Sequence, residues 1–150
     1  NGDDGIGIYL ATEGDTTIGQ PLVTTGFELI RGLAWLPDGS GFVYAVEEYV
    51  DYELSRANIF EYTFASQQIK RLTNFSNTFA GQLSVSPDGK QLVFDRSTTK
   101  DASGTADVWI MNRDGSGQRL LVSNAYAPAW SPGALPAPLA QRTFLPLLRR

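Results

Sequence analysis

Leu83-Ser84-Val85-Ser86-Pro87-Asp88-Gly89 decides the fold, because the chain says it more than once. Leu33-Ala34-Trp35-Leu36-Pro37-Asp38-Gly39 is a second copy, and Pro128-Ala129-Trp130-Ser131-Pro132-Gly133 begins a third. Pro37, Pro87 and Pro132 lie 50 and then 45 residues apart. Self-similarity at such a period marks a repeat architecture whose unit is too small to bury its own apolar face. The phrase itself is a turn. Pro presets φ near −65° at the first corner, Asp caps backbone N–H groups, and Gly accepts positive φ. No chemistry is assigned to these residues.

A second motif runs in the same register. Asn58-Ile59-Phe60-Glu61-Tyr62-Thr63 recurs as Asp107-Val108-Trp109-Ile110-Met111-Asn112, and Gly7-Ile8-Tyr9-Leu10-Ala11-Thr12 opens the chain. Ile8, Ile59 and Val108 are 51 and 49 residues apart. Each full unit therefore holds four strands. Strand A (33–36, 83–86) precedes the Pro-Asp-Gly turn, and strand B (41–46, 91–95) follows it with the β-branched and aromatic residues of a half-buried strand. Strand C is the Ile59 or Val108 run, and strand D lies around Leu72 or Leu120. Asp114-Gly115 reads as the hairpin turn between C and D, and Ala65-Ser66 and Gly14-Asp15 occupy the same place.

Four strands per unit at this period predict an all-β fold of four-stranded antiparallel β-propeller blades. The expected layout is a half-blade over 6–25, blades over 33–73 and 83–122, and strand A of a further blade over 128–132. Residues 1–133 form the repeats and 134–150 a Pro/Ala-rich linker and tail. About two full blades plus partial blades cannot close a ring. The missing blades are expected from the same longer chain or from other subunits. A third arrangement docks the blades edge-on to a different protein.

The phrases Ser86-Pro87-Asp88-Gly89-Lys90-Gln91-Leu92-Val93-Phe94 and Asp107-Val108-Trp109-Ile110-Met111-Asn112-Arg113-Asp114-Gly115 resemble TolB-type, WD-like propeller repeats. Similar repeats build the propellers of prolyl-oligopeptidase-type and tricorn-type peptidases. The resemblance covers roughly residues 6–133 and departs from the pattern at Leu36, where Ser is usual, and after Pro132, where Asp is missing. It implies a propeller fold, and function resides in sites grafted on that fold.

Composition narrows the function. The chain has no Cys and no His. Disulfides, thiolate metal sites, Cys nucleophiles, Ser-His-Asp triads and His-ligated metals are excluded. There is no Gly-x-Ser-x-Gly elbow either. No cofactor or metal is expected. Asn1-Gly2-Asp3-Asp4-Gly5 lacks the spacing and closing Glu of a calcium loop. Of the 12 basic residues, Arg142, Arg149 and Arg150 lie beyond position 133, which leaves nine against 16 acids in residues 1–133. A body this acidic repels phosphate backbones, so nucleic acid is not the partner. No run is long enough for a membrane-spanning helix.

Two stretches depart from the repeat and are the candidate partner-binding sites. Glu47, Glu48, Tyr49, Val50, Asp51, Tyr52 and Glu53 read as an acidic–aromatic loop between strands B and C, suited to a basic partner or a cation. Loops on a rigid ring are where such folds place recognition. The tail carries Phe144, Leu145, Leu147, Arg149 and Arg150. It is read as a strand or plug on the same propeller, with Thr143–Leu148 as a closing strand B, or as a docking or sorting segment. Trp35, Trp109 and Trp130 are read as core. The expected function is a non-catalytic scaffold for protein–protein interaction, periplasmic, envelope-associated or secreted. The alternatives are the propeller gate of a prolyl-oligopeptidase-type or tricorn-type peptidase, and a structural subunit completing a ring.

Overall fold

The computed structural model describes residues 6–17, 19–26, 28–100 and 105–131, with Leu54 described by its backbone alone. Among these residues ten strands follow one another: β1 (Gly7–Ile8), β2 (Val23–Thr24), β3 (Ile30–Trp35), β4 (Gly41–Val50), β5 (Glu53–Thr63), β6 (Gln68–Arg71), β7 (Phe79–Val85), β8 (Gln91–Ser97), β9 (Ala106–Asn112) and β10 (Arg119–Val122). No helix occurs among the described residues.

The ladders divide into two equivalent antiparallel leaves, β3-β4-β5-β6 and β7-β8-β9-β10. A single parallel bridge, Ala57 to Phe79, joins them. β1 and β2 pair antiparallel as a separate ribbon. The leaves are stacked, not laid side by side. In one flat sheet, β9 would lie three strand spacings, ~14 Å, from β5. Yet Arg113, in the turn after β9, grips Glu61 of β5 with Nε–Oε2 3.0 Å and Nη2–Oε1 2.9 Å. Arg96 of β8 likewise sits 4.7 Å from the ring of Phe75, on the connection that leaves β6. These are blades facing one another.

Stacking buries strand B on both faces. Phe42, Tyr44 and Val46 pack with Ile8, Val23 and Tyr62 toward the β1–β2 ribbon. Val43 and Ala45 point the other way, into a core shared with Leu83, Leu92, Phe94 and Met111 of the second blade. The expected half-buried strand is therefore corrected: β4 is covered from Gly41 through Glu47. At the inner strands the backbones come together. A Cβ on Gly32 would lie 2.5 Å from the Gly81 carbonyl oxygen, so glycine permits the close approach of β3 to β7.

The repeated turns carry the same hydrogen bonds. Asp38 Oδ1 accepts from the Ser40 N–H at 3.0 Å, Asp88 Oδ1 from the Lys90 N–H at 3.1 Å, and Asp114 Oδ1 from the Ser116 N–H at 2.9 Å. Hydrogen bonds from Ser40, Ser86 and Ser116 hold the three carboxyls below the ordinary range. Gly39 and Gly89 take φ of 71° and 70°, as the Pro-Asp-Gly reading requires. A second device also repeats. Asn58 Oδ1 accepts from the Phe75 N–H at 2.7 Å, and Asp107 Oδ1 from the Asn124 N–H at 3.0 Å, each spanning 17 residues. Asn58 lies midway along β5 and Asp107 near the start of β9, at equivalent positions of the repeat, and both pin the connection that leaves strand D.

Residues 128–131, expected to open a further strand A, join no ladder. A partner strand B would begin after Pro132, outside the described residues. The segment instead crosses the far face of the second blade. The Ala125 N–H bonds the Ala106 carbonyl at 2.8 Å, the Ala127 N–H bonds Asp95 Oδ2 at 2.9 Å, and the Trp130 N–H bonds Ser84 Oγ at 3.1 Å. Trp35 corrects the core reading: it is 53% exposed and lies against Phe42 and Phe64 at ring-centroid distances of 6.0 Å.

Candidate recognition surface

The acidic–aromatic stretch is a hairpin, not a loop. β4 and β5 continue pairing through Val50–Glu53 and leave Asp51 and Tyr52 as a two-residue turn. Their φ values are 51° and 65°. Two consecutive left-handed residues match the right-handed twist of a hairpin, a place usually held by Asn-Gly. A register shift between Glu48 and Tyr49 re-aims the end of the ribbon.

The ribbon sorts its residues into two groups. Glu47 and Glu48 turn inward. Glu47 is buried, with Arg31 Nη1 3.5 Å from its Oε1 and the Tyr49 hydroxyl 3.4 Å from its Oε2. Glu48 is half-buried and accepts from Arg56 Nε at 3.0 Å, from Asn58 Nδ2 at 2.6 Å, and from Arg71. Burial pushes the Glu48 carboxyl up, but the hydrogen bonds from Arg71, Asn58 and Arg56 prevail and hold it below its ordinary value. Asn58, fully buried, also accepts from Thr73 Oγ1 at 2.8 Å and donates to the Phe75 carbonyl at 3.1 Å.

Tyr49, Val50, Asp51, Tyr52 and Glu53 face outward. Tyr52 is 102% exposed, so its ring packs on nothing among the described residues. Glu53 Oε2 lies 3.4 Å from Lys100 Nζ, on the corresponding connection of the second blade. The Lys100 carbonyl in turn accepts from Arg31 Nη2 at 3.0 Å. The structure thus brings Glu47, Glu48, Tyr49, Asp51, Tyr52 and Glu53 into one ribbon. Phe144, Leu145, Leu147, Arg149 and Arg150 lie outside the described residues, as does Asn1-Gly2-Asp3-Asp4-Gly5.

At the base of the ribbon is an open cleft of about 430 Å³. Thr24, Thr25 and Glu28 form one wall, and Val46 to Tyr49 with Arg56 form the other. Sequence reasoning passed over Thr24, Thr25, Glu28 and Arg56, which lie in separate segments and carry no motif. Among the described residues, no group of three or more acidic side chains is arranged to hold a metal ion. No helix there is long and apolar enough to cross a membrane.

Four-stranded antiparallel leaves stacked face to face define a β-propeller segment. Comparison with known proteins shows what this segment is similar to. No model of a known protein family matches the chain. The Tol-Pal system protein TolB of Anaeromyxobacter dehalogenans strain 2CP-C is 29% identical over 114 residues, which span 74% of this chain and 24% of that protein. A protein assigned as TolB from Agrobacterium tumefaciens superposes with a TM-score of 0.63 at 24% identity, covering 83% of this chain and 41% of that one. An oligogalacturonate lyase solved with manganese shares the fold at TM-score 0.52 and 19% identity, over 72% of this chain and 27% of that one. The chain is similar in sequence to TolB proteins and shares their β-propeller fold. It spans about a quarter of the length of the curated relative.

Proposed function

We propose that the chain is part of a non-catalytic β-propeller scaffold in the bacterial cell envelope, where it binds another protein of a Tol-Pal-type system. The missing blades come from the same longer chain or from other subunits. Tyr52 carries this reading. It holds a left-handed φ of 65°, is fully exposed, and packs on nothing among the described residues. Glycine would adopt that backbone at lower cost. A tyrosine there costs folding stability, and tyrosine is a residue that interfaces favour. The chemistry of the chain agrees with a scaffold: it has neither the His nor the Cys of common hydrolytic centres.

The test is direct binding. The soluble domains of the Tol-Pal proteins of the source bacterium are titrated against the immobilised full chain. Saturable binding that weakens at least tenfold in Tyr52→Ser supports the scaffold reading, a loss typical of an interface anchor at roughly 1.4 kcal/mol per tenfold. No binding by any of them contradicts it.

A further inference from the structure

The ladder between β3 and β4 stops early. Ile30 pairs with Val46, and the Glu47 N–H bonds the Leu29 carbonyl at 3.0 Å. β4 runs on to Val50, paired only with β5 among the described residues. Glu48, Tyr49 and Val50 therefore present an open strand edge on the side that β3 has left. The cleft of about 430 Å³ lies along this edge, directly beyond the end of β3. An open edge beside a groove is the geometry of strand addition, in which main-chain hydrogen bonds supply affinity and the groove selects side chains.

The lining states which side chains. Glu28 and Glu47 line it; Glu48 is already held by Arg56, Arg71 and Asn58, and the cation nearest Glu47 is Arg31. Glu47 is buried, and its two polar contacts, at 3.5 and 3.4 Å, are long for an ionised carboxylate. It retains acceptor capacity that a closer cation would use. We infer that the free edge of β4 at Glu48–Val50 receives an extended, lysine- or arginine-bearing segment of a protein partner as an added strand, with its basic side chains in the Glu28–Glu47 cleft. This rests on the scaffold reading and gives it a site and a ligand chemistry.

The probe is a capped peptide of alternating lysine and valine, seven residues long. Two companions accompany it: the same peptide with alternate backbone amides N-methylated, and a version with glutamate for lysine. Binding to the full chain is followed by amide chemical shifts and hydrogen exchange. The lysine peptide is expected to shift Thr24, Glu28 and Glu47 and to protect amides within Glu48–Val50. N-methylation removes the main-chain hydrogen bonds while keeping the charge, so it abolishes binding. The glutamate version does not bind. Glu28→Gln with Glu47→Gln weakens the lysine peptide by about tenfold. Equal binding of the N-methylated peptide, or perturbation confined to other regions, overturns strand addition. Equal binding of the glutamate peptide overturns the basic ligand. A Tol-Pal protein that needs Tyr52 but leaves Glu48–Val50 unprotected would uphold the scaffold reading and overturn this one. Should the double variant fail to fold, the peptide comparison alone still decides.

Discussion

The two blades are built alike and end differently. In both, a Pro-Asp-Gly turn joins the first two strands, and Asn58 or Asp107 pins the chain 17 residues later. In the second blade, β8 and β9 are seven residues each. In the first, β4 and β5 reach 10 and 11 residues and carry the acidic–aromatic ribbon past the blade. What repeats holds the wheel together. What fails to repeat, the ribbon with Tyr52 at its tip and an open strand edge at its base, is where recognition is proposed.

The shared part is the harder to damage without consequence. Phe94 is fully buried in the core common to both blades. Phe94→Ala should cost ~3–5 kcal/mol. Urea unfolding should show both blades lost in one transition, and two separate transitions would show that the blades do not depend on each other. The strand-C pins should differ. Asn58→Ala leaves Thr73, the Phe75 amide and part of Glu48 unpaired in a buried site and should cost about 2–3 kcal/mol. Asp107→Ala loses a more exposed bond to the Asn124 amide and should cost about 1 kcal/mol. Equal losses would erase the asymmetry between the blades.

Two carboxyls sharpen the contrast through pH. Hydrogen bonds from Arg71, Asn58 and Arg56 lower Glu48 of the first blade against its burial. Its stabilisation is present above the ordinary 4.5 and is lost as pH falls through the lower folded value. Asp95 of the second blade is raised by burial, against hydrogen bonds from the Ala127 and Gln82 amides and the charge of Arg31. Its contribution is fully present below the ordinary 3.8 and disappears as pH rises through the raised folded value. Urea midpoints followed from neutral pH to about pH 3 should separate them. Glu48→Gln removes a loss of stability on acidification, and Asp95→Asn removes a gain. The reverse assignment would contradict the environments described. The smallest effect is at the ribbon tip. Tyr52→Gly should raise stability by ~0.5–1 kcal/mol, seen as a higher thermal midpoint, because it relieves a left-handed tyrosine that packs on no described residue.

The sequence made the repeat legible because turn chemistry is local. Pro37-Asp38-Gly39 and Pro87-Asp88-Gly89 announce their own geometry, and the alternation around Ile59 and Val108 announces strands. The ribbon was not legible as a hairpin. Asp51-Tyr52 lacks the glycine that marks such a turn, and Glu47-Glu48 read as part of a loop suited to a basic partner or a cation. Only the fold supplies Arg31, Arg56 and Arg71 as their partners. The cleft was hidden for the same reason, since Thr24 and Glu28 meet Glu47 only through tertiary packing. Trp35 reads as core from its place on a strand, but it lies on the face toward β1 and β2, which leave it half uncovered.

The face-to-face stacking of the blades can be measured without background, since the chain has no cysteine. Glu61→Cys with Arg113→Cys, treated with a short bis-maleimide, should give an intramolecular cross-link in the folded chain and none in urea. A folded chain in which these two positions react only between molecules would contradict stacked blades.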